Sequence, residues 1–309
     1  MAGKIHTVLG EIGCKDMGLT LPHEHLFFDL RGTARPKDFR VDREEVVRTV
    51  LPSLIALKDR GVSTLFECST CGIGRDPLIL EALGRRSGVN VVAPTGLYKE
   101  AFMPDWVRSR TVDELANWMR EEIQTGTENT SVKAGFIKLA ASEEGLTTLE
   151  EKVLRAAARA ANDTGAVIAQ HTSGPRSGSI LLQEMKVLRE EYFNLDKFVW
   201  VHAHSEPDIS MHTRAAEAGV NLEYDAIGGD QPDDFFIRLI RRMVARGHKE
   251  HILLSQDAGG YNAAERGGGK ARDLCYIIDH FLPKMETEGM KELVPLIMIE
   301  NPRRTFELY

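Results

Sequence analysis

His23 and His25, Lys138, His171, His202 and Asp257 each stand at the carboxyl end of a short apolar run. The runs are Leu21-Pro22 before His23-Glu24-His25, Gly135-Phe136-Ile137 before Lys138, Val167-Ile168-Ala169-Gln170 before His171, Phe198-Val199-Trp200-Val201 before His202, and Ile252-Leu253-Leu254-Ser255-Gln256 before Asp257. Imidazole and carboxylate are ligands for divalent metals, and residues two apart on a strand share a side, so His23 and His25 can grip one ion while Glu24 points away. His171 and His202 say little singly, since a histidine after an apolar strand is more often a satisfied structural residue; their convergence with the others is what counts. Lys138 is the oddest of the set, because a lysine at the end of a buried strand costs several kcal/mol unless its charge is removed or paired. Two readings stay open for it: an ammonium reaching the rim, or a lysine carbamylated by CO2 whose new carboxylate bridges two divalent metals. The chemistry expected of such a cluster is attack by a metal-activated water.

Something must bring these scattered residues together, and the strand pattern supplies it. Leu19 to Pro22, Ser63 to Glu67, Val89 to Ala93, Val132 to Lys138, Ala166 to Gln170, Phe198 to Val201, Val220 to Tyr224 and Ile252 to Ser255 read as strands. Helical segments alternate with them. Asp42 with Glu45 and Thr147 with Glu150 have capping-box spacing. Leu149, Val153, Ala156, Ala157 and Ala160 recur at helical spacing until Gly165, and Asp233 to Arg246 turns Phe236, Ile237, Ile240 and Val244 to one side. Strands alternating with helices suit a parallel sheet, and closure removes its edges. The expectation is a single α/β domain over 1–309, a (β/α)8 TIM barrel with its active site at the C-terminal face of the strands, where all strand ends converge. Phe27 to Phe39, Tyr98 to Val107, Thr172 to Gly178, Gly228 to Pro232 and Ala258 to Lys270 read as irregular loops that frame a substrate pocket.

The chain has 309 residues with 42% apolar and 28% charged side chains, which is ordinary usage for a soluble enzyme. A net charge of -7 with no basic run argues against nucleic acid and anionic membranes as partners. The start carries no apolar signal core, and no stretch approaches the roughly 20 apolar residues of a membrane span, so a cytoplasmic location is expected. Four cysteines in a chain this long make no disulfide scaffold. Cys68 and Cys71 form a C-x-x-C pair, read as structural because no second pair accompanies it for zinc and it follows a strand where the thioredoxin motif opens a helix.

The motifs in order are Gly18-Leu19-Thr20-Leu21-Pro22-His23-Glu24-His25, Ile73-Gly74-Arg75-Asp76, Thr95-Gly96-Leu97-Tyr98, Ala134-Gly135-Phe136-Ile137-Lys138, His171, Val201-His202, Leu254-Ser255-Gln256-Asp257 and Glu300-Asn301-Pro302-Arg303-Arg304-Thr305-Phe306. In these the chain resembles the phosphotriesterase family of the amidohydrolase superfamily, nearly from end to end. The resemblance implies one metal held by His23, His25 and Asp257, a second held by His171 and His202, and both bridged by carboxylated Lys138 and a hydroxide. It implies that Asp257 orients the hydroxide and takes its proton, and that the chain forms a homodimer. Zinc suits histidine and carboxylate ligands, with iron, cobalt and manganese accommodated by similar sets.

Departures from the family bear on the substrate. Where its best-known triesterases and lactonases carry an aspartate three residues after the last histidine ligand, this chain has Ser205; Glu206 either takes over the proton relay or caps the helix beginning at Pro207. His204 stays outside the metal set. Ala226 stands where acyl-homoserine lactone hydrolases of the family carry an arginine. The loop from Ala258 to Arg272 is polar and glycine-rich, so Arg266, Lys270 and Arg272 either receive a carboxylate or phosphate on a small substrate or form a solvated flexible loop. Tyr98 contacts substrate or packs on the rim. The reading is a binuclear metal-dependent hydrolase, foremost a lactonase on a small lactone, anionic or neutral, with organophosphate triesters as side substrates. Carboxylic-ester or N-acyl amide hydrolysis is the alternative, and a non-catalytic metal- or ligand-binding protein is the rival from another class.

Overall fold

A computed structural model describes residues 3–34 and 39–308. Positions 35–38, part of the irregular stretch after Phe27, lie outside the described residues, as do 1, 2 and 309. Two short strands, Lys4–Thr7 and Gly10–Gly13, form an antiparallel hairpin. The main sheet then follows as β1 (Leu19–Phe28), β2 (Val62–Glu67), β3 (Asn90–Leu97), β4 (Ala134–Ala140), β5 (Ile168–His171), β6 (Phe198–Val201), β7 (Asn221–Tyr224) and β8 (Ile252–Leu254). Each pairs in parallel with its sequence neighbour. Helices intervene as α1 (Arg43–Asp59), α2 (Pro77–Ser87), α3 (Val112–Gln124), α4 (Thr148–Thr164), α5 (Ser177–Glu190), α6 (Ile209–Glu217) and α7 (Asp233–Val244). A further helical stretch, 277–306, returns across the sheet's other end.

Closure comes from a segment that reads as loop in the sequence. Gly259–Asn262 is a strand, and it pairs in parallel with β1 through Gly259 with His25 and Tyr261 with Phe27. It continues β8 after an irregular turn, so the eighth strand meets β7 with its first half and β1 with its second. Asp257 N–H donates to His23 O at 3.1 Å and His25 N–H to Ala258 O at 2.9 Å within that turn. Glycine composition concealed this strand, and the reason is steric: a Cβ on Gly260 would stand 2.8 Å from Leu26 O. Backbones approach there more closely than any side chain permits.

The first strand is longer than the apolar run suggests and carries His23, Glu24 and His25 within it. Lys138 likewise lies inside β4, two residues before its end. Local chemistry fixes the helices. Asp42 accepts from Glu45 N–H at the start of α1, and Thr147 with Glu150 closes a full capping box on α4. A second full box, Thr111 with Glu114 on α3, went unremarked in the sequence. Leu149, Val153, Ala156, Ala157 and Ala160 on α4 and Phe236, Ile237 and Ile240 on α7 are buried against the sheet; Val244 is only partly so. Inside the barrel, Phe66, Val92, Phe136, Val167, Val199, Val201 and Leu253 fill the floor. Phe306 of the C-terminal stretch closes it from below, its ring 4.1 Å from Phe66 and 6.0 Å from Phe136 between centroids. The strand ends that carry the residues singled out by type and spacing open at the opposite mouth. Among the described residues no helix is long and apolar enough to cross a membrane.

Candidate metal centre

At that mouth the six residues singled out by type and spacing converge from β1, β4, β5, the end of β6 and the turn after β8. His23 and His25 rings lie 5.4 Å apart, His23 and His202 5.2 Å, and His171 and His202 4.3 Å. Asp257 Oδ1 stands 3.4 Å from His23 Nε2 and 3.2 Å from His25 Nε2, so these three ligand atoms share one focus. His202 Nε2 faces His171 Nδ1 at 2.8 Å, a second focus beside the first. Burial depresses the pKa of His171 well below the ordinary imidazole value, with the His202 ring beside it adding to the effect. His202 is lowered by burial as well. Both rings therefore offer neutral nitrogen lone pairs, the form a metal needs. Burial alone would raise the Asp257 carboxyl, but the facing His23 and His25 hold it well below the usual carboxylate range.

Lys138 lies near enough to both His23 and His171 for its charge to act on each ring. Its side chain is 1% exposed, and its Nζ has no hydrogen-bond partner among the described residues. A bare ammonium in such a position forfeits its hydration with nothing in return. Carboxylation removes the charge and supplies two oxygens in a place ringed by nitrogen donors, so the donor set fits a carboxylated lysine bridging two divalent ions. Gly96, opposite Lys138 on β3, has a positive φ of 107°, and a Cβ there would stand 2.1 Å from Lys138 O. Only glycine lets β3 run this close to the lysine.

A set of groups behind the ligands fixes their orientation, and sequence reading missed most of it. Asp225, just beyond β7, accepts from His23 Nδ1–H at 2.8 Å and from His202 Nδ1–H at 2.6 Å and the His202 backbone N–H at 3.2 Å. His204 Nδ1 approaches it at 3.2 Å. Asp225 also belongs to a cluster with ligand spacing, but both oxygens are spent on Nδ1–H groups, which makes it the partner that turns Nε2 toward the centre. Glu223 Oε1 comes within 2.9 Å of the same His23 nitrogen, yet one N–H has one direction and Asp225 receives it; neither Glu223 oxygen has a hydrogen-bond partner among the described residues. His25 Nδ1–H donates to Ser69 Oγ at 2.8 Å, and Glu67 holds Ser69 by accepting its backbone N–H at 2.8 Å. Glu24 does point away from the ligands. It accepts from Ser255 Oγ–H, Gln256 N–H and Ala258 N–H at 2.9, 3.1 and 2.7 Å, and thereby shapes the turn that carries Asp257; burial pushes its carboxyl up to about 8. A visible signal existed for Asp225: it ends the seventh strand as the other candidates end theirs.

His202, Ala226 and Asp257 directly follow or closely follow β6, β7 and β8 with φ of 63°, 63° and 50°. Left-handed backbone at residues with a Cβ costs about 1–3 kcal/mol each and gathers at functional sites. Here it bends the chain off the strand ends and over the mouth.

Above the ligands opens a cavity of about 200 Å³ lined by His25, Phe28, Leu30, Ile73, Tyr98, His171, His202, Asp257 and Gly259. Tyr98 is in the wall, its hydroxyl 3.4 Å from His171 Nδ1. Phe28 and Leu30, from the stretch after Phe27 expected to frame the pocket, form an apolar side with Ile73, which was not singled out for it. Glu206, Arg266 and Arg272 are not in the wall. Glu206 is buried with Oε2 accepting from Gly178 N–H at 2.8 Å and Oε1 from Asp208 N–H at 2.9 Å, so both oxygens staple backbone and none is left to relay a proton. Asp208, through Ser210 N–H, is the cap of α6. Arg266 is exposed. Arg272 donates to Asp257 O at 3.0 Å and Ile227 O at 3.2 Å, tying two loops together. Cys68 is buried and its thiol pushed up to about 12 by burial, Cys71 to about 11, and no disulfide joins them. Neither thiol is primed as a thiolate.

Comparison with known proteins agrees with this geometry. The sequence model of the phosphotriesterase family matches residues 3–306. The phosphotriesterase homology protein of Escherichia coli is 32% identical over 294 residues, covering 94% of this chain and 98% of that protein. The human N-acetyltaurine hydrolase is 28% identical over 345 residues, covering 98% of each. A solved structure of a variant phosphotriesterase-like lactonase from Deinococcus radiodurans superposes with a TM-score of 0.88 at 26% identity, covering 98% of this chain and 99% of that one.

Proposed function

The chain belongs to the phosphotriesterase family, which makes it a hydrolase, and from that premise we propose that it is a binuclear lactonase acting on a small lactone. The observation that carries the reading is the buried Nζ of Lys138, without a hydrogen-bond partner among the described residues and near His23 and His171. We assign His23, His25 and Asp257 to one ion, His171 and His202 to the other, and carboxylated Lys138 to both, with zinc the foremost candidate. When bound, the ions lower the pKa of water and polarise the scissile carbonyl. Asp257 takes the proton of the attacking water and returns it to the alkoxide released when the acyl–oxygen bond breaks. Asp225 keeps His23 and His202 in one tautomer and one orientation. Phe28, Leu30 and Ile73 receive the alkyl part of the substrate, and Tyr98 bounds it on the His171 side. The same site is expected to turn over organophosphate triesters slowly. The chain acts in the cytoplasm on a small molecule, without nucleic-acid or membrane partners, as a homodimer.

Hydrolysis of an N-acyl amide is the second reading, supported by a full-length relative named for N-acetyltaurine hydrolysis. Metal-loaded protein assayed on lactones, carboxylic esters, N-acyl amides and phosphotriesters separates these, with Asp257→Asn as the control. A lactone preference abolished in that variant is the expected result. About two divalent ions per chain, falling in Lys138→Ala, is expected from metal analysis; one ion and unchanged activity in that variant would overturn the binuclear reading.

A further inference from the structure

Resting on the hydrolase reading above, we propose that Lys99 selects substrates carrying an anionic group, a carboxylate or sulfonate, on the part remote from the scissile carbonyl. Among the described residues the cavity wall contains no lysine or arginine. The arginines that the sequence offers for an anion are exposed or committed to backbone carbonyls, as described above. Lys99 is differently placed. It follows Tyr98, whose hydroxyl lies 3.4 Å from His171 Nδ1, and its Nζ stands 6.0 Å from the centre of the Tyr98 ring. The ammonium is thus one phenol ring removed from the reacting end of the cavity. Only 20% of the side chain is exposed, so its position is largely set before any ligand arrives, which lowers the cost of using it.

The acid that meets this ammonium is Glu143, with Oε1 at 3.3 Å and a side chain 61% exposed. Lys99 follows β3, Glu143 follows β4, and Gly174 and Arg176 follow β5, so the group sits on three consecutive loops of one rim. Arg176 Nη2 reaches Glu143 O at 3.5 Å, and a Cβ on Gly174 would stand 3.9 Å from Glu143 Cγ. An exposed ion pair contributes about 0–1 kcal/mol. A substrate anion arriving from the cavity side can therefore take the place of Glu143, whose carboxylate moves into solvent at little cost. The competing account is that Lys99 and Glu143 merely staple two loops.

The two accounts differ in what charge does to selectivity. Metal-loaded wild type, Lys99→Met, Lys99→Arg and Glu143→Gln are assayed on matched pairs: γ-carboxy-γ-butyrolactone against γ-valerolactone, and N-acetyl-β-alanine against N-propylacetamide. The anionic-over-neutral ratio of kcat/KM is expected to fall roughly tenfold in Lys99→Met, chiefly through KM, to persist in Lys99→Arg and to rise in Glu143→Gln. A ratio that stays constant in Lys99→Met and Glu143→Gln, both members changing together, overturns the proposal in favour of the staple. Turnover of both members by wild type with no preference for the anion also overturns it and leaves the hydrolase reading intact. No turnover of any member removes the lactonase and N-acyl amidase readings and this inference with them.

Discussion

Asp225 accepts from both His23 and His202, residues of two strands, so its loss frees two rings at once. In Asp225→Asn the amide offers one acceptor oxygen in place of two, and one of the Nδ1–H groups must face an N–H. Metal affinity is expected to fall about 10–100-fold, read as faster extraction by a chelator, while the folded-state circular dichroism stays unchanged. Extraction at the wild-type rate would mean that Asp225 orients nothing. Glu184 tests burial without the metal centre. Its Oε1 accepts from Gln170 Nε2–H at 3.1 Å and Thr172 Oγ1–H at 2.7 Å, its Oε2 has no partner, and burial pushes the carboxyl up to about 8. Between the ordinary carboxylate pKa and about 8, the unfolded chain has shed this proton and the folded chain keeps it. The unfolded state then binds fewer protons, so stability falls as pH rises through that window. Glu184→Gln, which keeps a neutral group at every pH, should gain on wild type from pH 5 to pH 8 by up to a few kcal/mol. Thermal melts across that range read the gain directly; a gap in Tm independent of pH would show the carboxyl to be ionised in the fold.

At the scale of elements, Glu150 shows how a cap does more than start its helix. Its carboxylate completes the box with Thr147 N–H at 3.1 Å and also accepts from Ser142 N–H and Glu100 N–H at 3.0 Å and from Ser142 Oγ–H at 2.7 Å. The start of α4 is thereby tied to the loop after β3, which presents Tyr98 to the cavity. Thr147→Ala should cost about 1 kcal/mol, the usual loss for an N-cap. Glu150→Ala leaves several partly buried donors without acceptors and should cost about 1–3 kcal/mol. Chemical denaturation should show both as a lower midpoint with unchanged slope. Equal losses in the two variants would mean that the ties to Ser142 and Glu100 carry no energy.

For the whole molecule, Phe306 is the informative position, because it joins the last helical stretch to the rings of Phe66 and Phe136 at the barrel floor. Phe306→Ala opens a void among side chains that have no other filler, at an expected cost of about 3–5 kcal/mol. Calorimetry should record the loss as a single transition at lower temperature, since strands from every part of the chain share that floor. A separate early transition would instead assign 277–306 to an independently melting unit.

The strands and the candidate ligand residues were legible in the sequence because both are local signals: β-branched runs bounded by turn residues, and a histidine, lysine or aspartate near the end of several of them. Motif order along the chain was enough for the family resemblance. What the sequence left open depends on contacts between distant residues. His23 and Asp225, 202 positions apart, meet only because β1 and β7 face one another across the mouth. Glu206 had equal claims as relay and as helix cap until the fold placed the N–H groups of Gly178 and Asp208 at its oxygens and gave the cap to Asp208. The strand Gly259–Asn262 has no periodicity to announce it; closure against β1 makes it a strand. Residue type and spacing name the groups that can do chemistry, because those are properties of single side chains and short segments. Which carboxylate orients and which merely holds backbone are set by burial and direction, and those exist only once the barrel has closed.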